Sequence, residues 1–227
     1  MRLRAPGRSL RELAEFYDGL GIGVVEATPE LVALEVGATR LDFVPGDGEP
    51  FYHFAFLAPG DRAEAMLEWA QARTALLPDP DSGEVVFDFT NWSAKACYLH
   101  DPAGNIVELI AHLGLGETDA QGPFLAGELL GLSELGLVGE PAQLAAALRP
   151  LGLELWDGTV EGEARLGFVG ERGRTLILSP PGRGWLPTRR PAEAHPLEAV
   201  LSGPPAGDVA VDGYAIRRSG PLRRGGA

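Results

Sequence analysis

A strand–helix–three-strand order that recurs along the chain is the feature that most constrains its fold. The first unit covers about residues 2–44, with a helix near 8–19 that Ser9 can cap. The second unit covers 51–111, and a third, weaker unit covers 133–179. Two later segments could be remnants of a fourth unit, residues 195–202 and 208–217. This order predicts an α+β protein, and the alternative interpretation is an α+β chain with no internal repeat.

One short stretch combines a turn with an acidic residue in an apolar strand. The sequence DPAGN at 101–105 favours a type I turn, and an apolar strand follows it. Side chains alternate between the two faces of a strand, so Glu108 and His112 share one face with two isoleucines. A carboxylate among aliphatic residues needs a cation, a donor or water, because burying it unpaired is costly. Glu108 is therefore a candidate functional residue.

The charge balance and the single cysteine exclude several classes of protein. The chain has 19 Lys and Arg against 32 Asp and Glu, a net charge of −13, which argues against nucleic-acid or anionic-membrane partners. No apolar run approaches the ~18 residues needed to span a bilayer. Cys97 is the only cysteine, so no internal disulfide can form, and a cytoplasmic location is expected.

The connecting segments suggest how the units are grouped. Residues 116–130 are interpreted as a linker, because glycine and polar residues dominate the stretch from which they come. Residues 1–115 would then hold units one and two as a pair around one site. Residues 131–227 would hold a degenerate third unit and the tail strands. Units one and two could pair within one chain or exchange across a homodimer, and pairing within the chain is the simpler expectation.

Three motifs carry a family resemblance. They are EFYDGLGI at 15–22, YHFAF at 52–56 and YLHDPAGNIVE at 98–108. They resemble the helix end, the metal-bearing first strand and the closing hairpin of the vicinal oxygen chelate superfamily, which includes glyoxalases, bleomycin resistance proteins and extradiol dioxygenases. The resemblance covers about residues 1–113 and extends less securely over 131–180. It implies repeated βαβββ modules whose curved mixed sheets enclose a cleft, often with a divalent metal.

The resemblance also implies which residues could bind that metal, because ligands in these families come from the first and last strands of two paired modules. Aligning the units places Arg2, His53 and Glu134 at the first-strand position, and Asp42, Glu108 and Ile177 at the last-strand position. His53 and Glu108 match the pattern, and Asp42 matches it with a shorter carboxylate. Arg2 does not match, since a guanidinium has no lone pair for a metal.

Further residues are expected around this site. His112 shares the strand face of Glu108 and is a candidate fourth ligand, one step past the core of the strand. Asp88 lies on the preceding strand, and Asn91 and Trp92 follow it in a loop that could line the mouth of the cleft. Arg2 would contribute to the same pocket.

These expectations lead to two functional hypotheses. The first is a metal-dependent enzyme of the glyoxalase or extradiol dioxygenase type, acting on a small oxygen-bearing organic substrate. Its cofactor would be Fe, Mn, Zn or Ni, and Glu108 would move a proton. The second is non-catalytic binding of a small molecule without a metal, with Arg2 paired to Asp42 or Glu108 in its place. The third unit favours it slightly, because Glu134 and Ile177 are not a ligand pair.

Overall fold

The computed structural model describes residues 1–162 and 165–220. The segment 131–227, expected to hold the third unit and the tail strands, therefore includes two stretches outside the described residues, 163–164 and 221–227. The helices within the described residues are α1 (Leu10–Gly19), α2 (Ala63–Gln71) and α3 (Pro141–Leu148). None of these helices has the length and apolar character needed to cross a membrane.

The strands of the first two units are β1 (Arg2–Pro6), β2 (Gly23–Ala27), β3 (Val32–Val36), β4 (Thr39–Gly46), β5 (His53–Ala58), β6 (Phe87–Phe89), β7 (Ala94–His100) and β8 (Ile106–His112). Those of the remaining chain are β9 (Gly131–Val138), β10 (Leu155–Thr159), β11 (Leu166–Glu171), β12 (Arg174–Ser179), β13 (Gly184–Trp185), β14 (Arg190–Pro191), β15 (Leu197–Ser202), β16 (Gly207–Val211) and β17 (Tyr214–Ser219).

Two large mixed sheets organise these strands. Sheet A has the order β16-β17-β15-β1-β4-β3-β2, and sheet B has the order β10-β11-β12-β9-β5-β8-β7-β6. β13 and β14 form a separate small hairpin. The α+β class with curved mixed sheets, predicted from the sequence, is confirmed.

The first strand of each unit pairs in parallel with the last strand of the same unit. This holds for β1 with β4, β5 with β8, β9 with β12 and β15 with β17. Antiparallel pairs then join the units, β5 with β9 in sheet B and β1 with β15 in sheet A. Unit two therefore shares a sheet with unit three, and unit one shares a sheet with the tail strands.

This grouping differs from the expected pairing of units one and two. The two first strands, β1 and β5, lie in different sheets. The connection before β9 is fixed next to β5, because the Leu130 amide donates to the Leu57 carbonyl at 2.8 Å. Since each first strand offers one edge of backbone donors and acceptors beyond its own unit, the sequence does not distinguish which two first strands meet.

The helix ends also differ from the expectation. The first helix begins at Leu10 and follows a 3₁₀ turn at Gly7–Ser9, and Ser9 makes no capping hydrogen bond. The second helix, α2, likewise follows a 3₁₀ turn, at Gly60–Arg62. One face of α1 is apolar, because Leu10, Leu13 and Tyr17 are all buried.

The main core lies between the two sheets. Tyr17 of α1 packs on Phe43 of sheet A and on Phe56 of sheet B, with ring centroids 5.8 and 6.4 Å apart. Phe43 also contacts Phe54 of sheet B. Burial of each such aromatic side chain contributes roughly 1.5–3 kcal/mol, so these contacts hold the sheets together.

Candidate metal centre

Three buried side chains with metal-ligating atoms meet on one face of sheet B. They are His53 of β5, Glu108 of β8 and Glu134 of β9, and each offers a ligand atom within 4.8 Å of the others. Their side chains are 6%, 3% and 4% exposed. The strand order β9-β5-β8 makes the three strands direct neighbours. The sheet therefore brings together residues that are 26 to 81 positions apart in sequence.

The strand register places the two carboxylates on either side of one alanine. Ala55 of β5 is paired with Glu108 on one side and with Glu134 on the other. Paired residues of neighbouring strands point to the same face of a sheet. The two carboxylates thus stand on either side of a methyl group, with His53 one pleat along the same strand.

A backbone carbonyl orients the imidazole. The Nδ1 atom of His53 lies 3.1 Å from the Ile106 carbonyl oxygen. A carbonyl oxygen only accepts hydrogen bonds, so Nδ1 carries the proton and the lone pair of a neutral ring is on Nε2. Nε2 lies 3.5 Å from a carboxylate oxygen of Glu108. The ring therefore presents its free lone pair to the centre of the group.

Burial favours the neutral form of all three residues. It lowers the pKa of His53 to about 4 and raises the pKa of Glu134 to about 7. The pKa of Glu108 is raised well above its ordinary value by burial and then by the charge of Glu134. His53 and Glu108 are thus a neutral contact, in which a protonated Glu108 can donate to Nε2, and not an ion pair.

Aromatic side chains cover the group. The Trp185 ring, on the β13–β14 hairpin, lies 5.0 Å from the His53 ring, and Tyr98 lies opposite Glu108 on β7. The enclosed space beside His53 and Trp185 has a volume of about 10 Å³, which is room for about one water molecule. A larger ligand can reach His53 from this side only if the hairpin moves.

The predicted turn before β8 fixes the strands that carry His53 and Glu108. Asp101 accepts hydrogen bonds from the Tyr17 hydroxyl at 2.9 Å and from the Asn105 side chain at 2.8 Å. Asn105 in turn accepts from the Tyr52 amide at 2.8 Å. This buried network ties α1, the turn and the start of β5 into one unit, so the two ligand strands cannot shift independently.

Two of the residues expected at the site lie in the other sheet. Asp42 of β4 pairs with Arg40 at 2.8 Å and with Arg2 at 3.8 Å. Arg2 is about half exposed and also lies 3.9 Å from Glu198. Among the described residues, neither Glu108 nor Glu134 has an arginine ion pair. Asp42 and Arg2 are separated from the group because unit one pairs with the tail strands.

Of the remaining expected residues, His112 and Trp92 pack together near the end of β8, and Asp88 and Asn91 are exposed to solvent. His112 is fully buried on the face of Glu108, but four residues along a strand is ~13 Å, too far to share an ion. Trp92 packs 6.3 Å from His112 and donates a hydrogen bond to Asp157. Asp88 and Asn91 are exposed, since Asp88 alternates with aromatic residues that face the sheet interior.

Glu134 is the residue that the sequence reasoning did not propose as a ligand. The alignment of units had placed it at the first-strand position, equivalent to His53. It was set aside because its own unit has Ile177 at the second position, and Ile177 is indeed buried and apolar. Units two and three share sheet B, and the group combines His53 and Glu108 of unit two with Glu134 of unit three. A second ligand from unit three is therefore not required.

Comparison with solved structures identifies the fold. A putative dioxygenase from Bacillus subtilis matches 98% of this chain and 84% of its own, with 15% identity and a TM-score of 0.57. A mutant of glyoxalase I from Zea mays matches 79% of this chain and 66% of its own, with 14% identity and a TM-score of 0.51. The fold is that of the vicinal oxygen chelate superfamily. The resemblance predicted from the sequence motifs is thereby confirmed.

A lactoylglutathione lyase from Agrobacterium tumefaciens covers 52% of this chain and 95% of its own, with 25% identity and a TM-score of 0.39. No family model matches the sequence. No curated protein matches it either. Similarity to solved structures shows the fold alone, so the function has to be argued from the site.

The His53–Glu108–Glu134 group fits the divalent metal that this fold implies. One imidazole nitrogen and two carboxylates are donors that Fe(II), Mn, Zn and Ni accept. Two ionised carboxylates also balance the two positive charges of such an ion, whereas without a cation their burial favours protonation. The residues at this position are therefore suitable metal ligands, with further coordination positions left for water or substrate.

Proposed function

We propose that this protein is a divalent-metal-dependent enzyme that acts on a small oxygen-bearing organic molecule. The observation that supports it most directly is the convergence of His53, Glu108 and Glu134, all buried and within 4.8 Å, on one face of sheet B. A metal held there would act as a Lewis acid toward oxygen atoms of the substrate. The reaction would be of the glyoxalase or the extradiol dioxygenase type.

The chain's own residues would supply binding geometry and proton transfer. The Ile106 carbonyl holds the His53 ring so that Nε2 faces the centre. Glu108 is the proposed proton carrier, because burial and the charge of Glu134 raise its pKa well above the ordinary value, so the carboxyl can hold a proton and pass it on. The Trp185 ring and its hairpin would limit the space on the His53 side of the group to about one water molecule.

A second candidate function is non-catalytic binding of a small molecule by the same fold. The 3.5 Å contact between His53 Nε2 and a Glu108 oxygen favours it, because a protonated Glu108 can satisfy the imidazole without a metal. For either function we propose a cytoplasmic location, since Cys97 is buried and has no cysteine partner.

Metal content distinguishes the two candidates. We expect protein purified without chelator, or reconstituted with Fe(II), Mn, Zn or Ni, to hold about one equivalent of metal by elemental analysis. His53→Ala and Glu108→Gln should lower metal affinity by roughly 100-fold or more, since each removes one of three ligands.

Asp42→Asn is the matched control, because it removes a carboxylate at the position of Glu108 in another unit. It should leave metal content unchanged. Protein that binds none of the four metals at saturating concentration would contradict the enzyme and support the binder. Metal-loaded protein can then be assayed with a hemithioacetal and with a catechol, where oxygen uptake would indicate ring cleavage.

A further inference from the structure

A large cavity lies between the two sheets. Its volume is about 940 Å³, within the range of small-molecule binding sites. Its walls come from the N-terminal parts of β9 and β12 and from the last residues of β15 and β17. A helix follows the first strand in units one, two and three, whereas the described residues between β15 and β16 contain no helix. The cavity therefore adjoins the place where the fourth unit lacks a helix.

Four polar atoms in the cavity wall have no hydrogen-bond partner among the described residues. They are Oγ of Ser133, Oγ1 of Thr175 and the Nε atoms of Arg172 and Arg218. Ser133 and Thr175 are only 2% and 5% exposed. Buried polar groups are nearly always paired, because leaving one unpaired costs free energy. Unpaired donors of this kind in the wall of a cavity are typical of a site for a molecule with hydrogen-bond acceptors.

The wall is basic and apolar in a protein that is acidic as a whole. Four arginines line the cavity, Arg40, Arg172, Arg174 and Arg218, against Glu134 and Glu171, while the whole chain has a net charge of −13. Most other lining residues are apolar, leucines above all. We propose that this cavity binds an amphipathic organic anion, with its apolar part among the leucines and its acidic group at the arginines and hydroxyls.

This site is separate from the proposed catalysis. Glu134 is the one member of the metal-binding group in the cavity wall. The hydroxyls and arginines that would hold the anion are not members of that group. Anion binding should therefore persist in metal-free protein and in the His53→Ala variant, so failure of either proposal leaves the other standing.

A pair of matched fluorescent probes tests the charge requirement. 8-Anilinonaphthalene-1-sulfonate and N-phenyl-1-naphthylamine share one apolar ring system, and only the first carries an anionic group. We expect the sulfonate to bind folded, metal-free protein at one site per chain by fluorescence titration and calorimetry. The neutral probe should bind at least tenfold more weakly. Equal affinities, or no saturable binding of the sulfonate, would overturn the proposal.

Substitutions in the cavity wall test whether the sulfonate probe binds there. Thr175→Val keeps the side-chain shape and removes the unpaired hydroxyl, and it should weaken sulfonate binding at least threefold. Arg174→Met removes a wall arginine that is 78% exposed and pairs with Glu171 at 3.5 Å. Its matched control is Arg11→Met, which removes an arginine 84% exposed that pairs with Glu15 at 3.7 Å. Only Arg174→Met should weaken binding; equal affinities in the two arginine variants would reject the assignment.

A blocking variant gives a second readout in case the polar variants fold poorly. Ala199 is 4% exposed and lines the cavity. Ala199→Phe should fill the cavity and abolish sulfonate binding in protein that is still folded by circular dichroism. Undiminished binding in this variant would place the probe elsewhere and refute the proposal.

Discussion

At the scale of single residues, the candidate centre depends on three side chains whose charge states are set by burial. In metal-free protein the carboxyl groups favour the protonated form, and the imidazole favours the neutral form. Metal binding should therefore release protons from Glu108 and Glu134, and apparent affinity should rise with pH up to about 7. The same groups make stability depend on pH.

We predict that metal-free protein loses stability as the pH rises. The pKa of Glu134 is 4.5 in an unfolded chain and about 7 in the fold, so between these values the native state holds more protons. The contribution of the Glu134 carboxyl to the free energy of unfolding therefore decreases from pH 4.5 and is lost above pH 7. The total decrease is on the order of 3 kcal/mol. His53 acts oppositely, because its pKa falls from 6.5 to about 4, but its contribution is constant above pH 6.5.

Thermal unfolding between pH 6.5 and 8 lies above the titration of His53, and among the described residues only the Met1 amino group, whose pKa burial lowers from 8.0, acts against the carboxyl groups there. The melting temperature of metal-free protein should still fall over this range, because both carboxyl groups lose protons. Glu134→Gln should flatten the profile and raise stability at pH 8, and Asp42→Asn should not change its shape. A rising or flat profile for the unmodified metal-free protein would show that the carboxylates are not buried together.

At the scale of elements, the β13–β14 hairpin is packed against the centre through one close contact. Gly136 of β9 leaves room for Trp185, since a Cβ at position 136 would lie 2.9 Å from a ring carbon of that side chain. The glycine therefore allows the tryptophan to sit 5.0 Å from His53. The hairpin closes the site because β9 has no side chain at this position.

We predict that Gly136→Ala destabilises the protein by roughly 1–3 kcal/mol, because overpacking displaces Trp185. Trp185→Leu alone should also destabilise it, by removal of a large buried ring. In the double variant the alanine should cost less, since the clashing ring is gone. Denaturant unfolding of the four proteins measures this coupling, and strictly additive effects would mean that the two residues do not contact.

At the scale of the whole molecule, two tyrosines connect the sheets. The Tyr214 hydroxyl of sheet A donates to the Val138 carbonyl and accepts from the Val138 amide of sheet B, at 2.9 and 2.8 Å. The Tyr52 hydroxyl donates to the Pro196 carbonyl at 2.8 Å and accepts from the Arg4 amide at 3.2 Å. Both contacts link parts of the chain that are far apart in sequence.

Tyr214→Phe should reduce the free energy of unfolding by about 1–3 kcal/mol, because it leaves both backbone groups of buried Val138 without their partner. Thr28→Val is the control, since the Thr28 hydroxyl bonds only within its own exposed turn. Its effect should stay within about 0.5 kcal/mol. Chemical denaturation measures the free energy of unfolding of both variants. Equal losses would indicate that the Tyr214–Val138 hydrogen bonds stabilise the protein no more than those of an exposed turn.

The sequence alone determined the local structure and the superfamily fold. The recurring order predicted the strands and helices, and the turn at 101–105 with its following strand placed Glu108 on one face with His112. The motifs around His53 and Glu108 predicted two of the three residues that meet. These features depend on neighbours in sequence, through turn geometry and side-chain alternation.

Only the tertiary structure decided which units share a sheet, and hence which third residue completes the group. Glu134 on β9 lies beside His53 because β5 pairs with β9. Asp42, on β4, lies in sheet A with β1 and β15. Strand edges carry similar backbone donors and acceptors in every unit, so their sequence does not encode the partner. The pairing is settled by packing across the whole core, which a single chain segment cannot reveal.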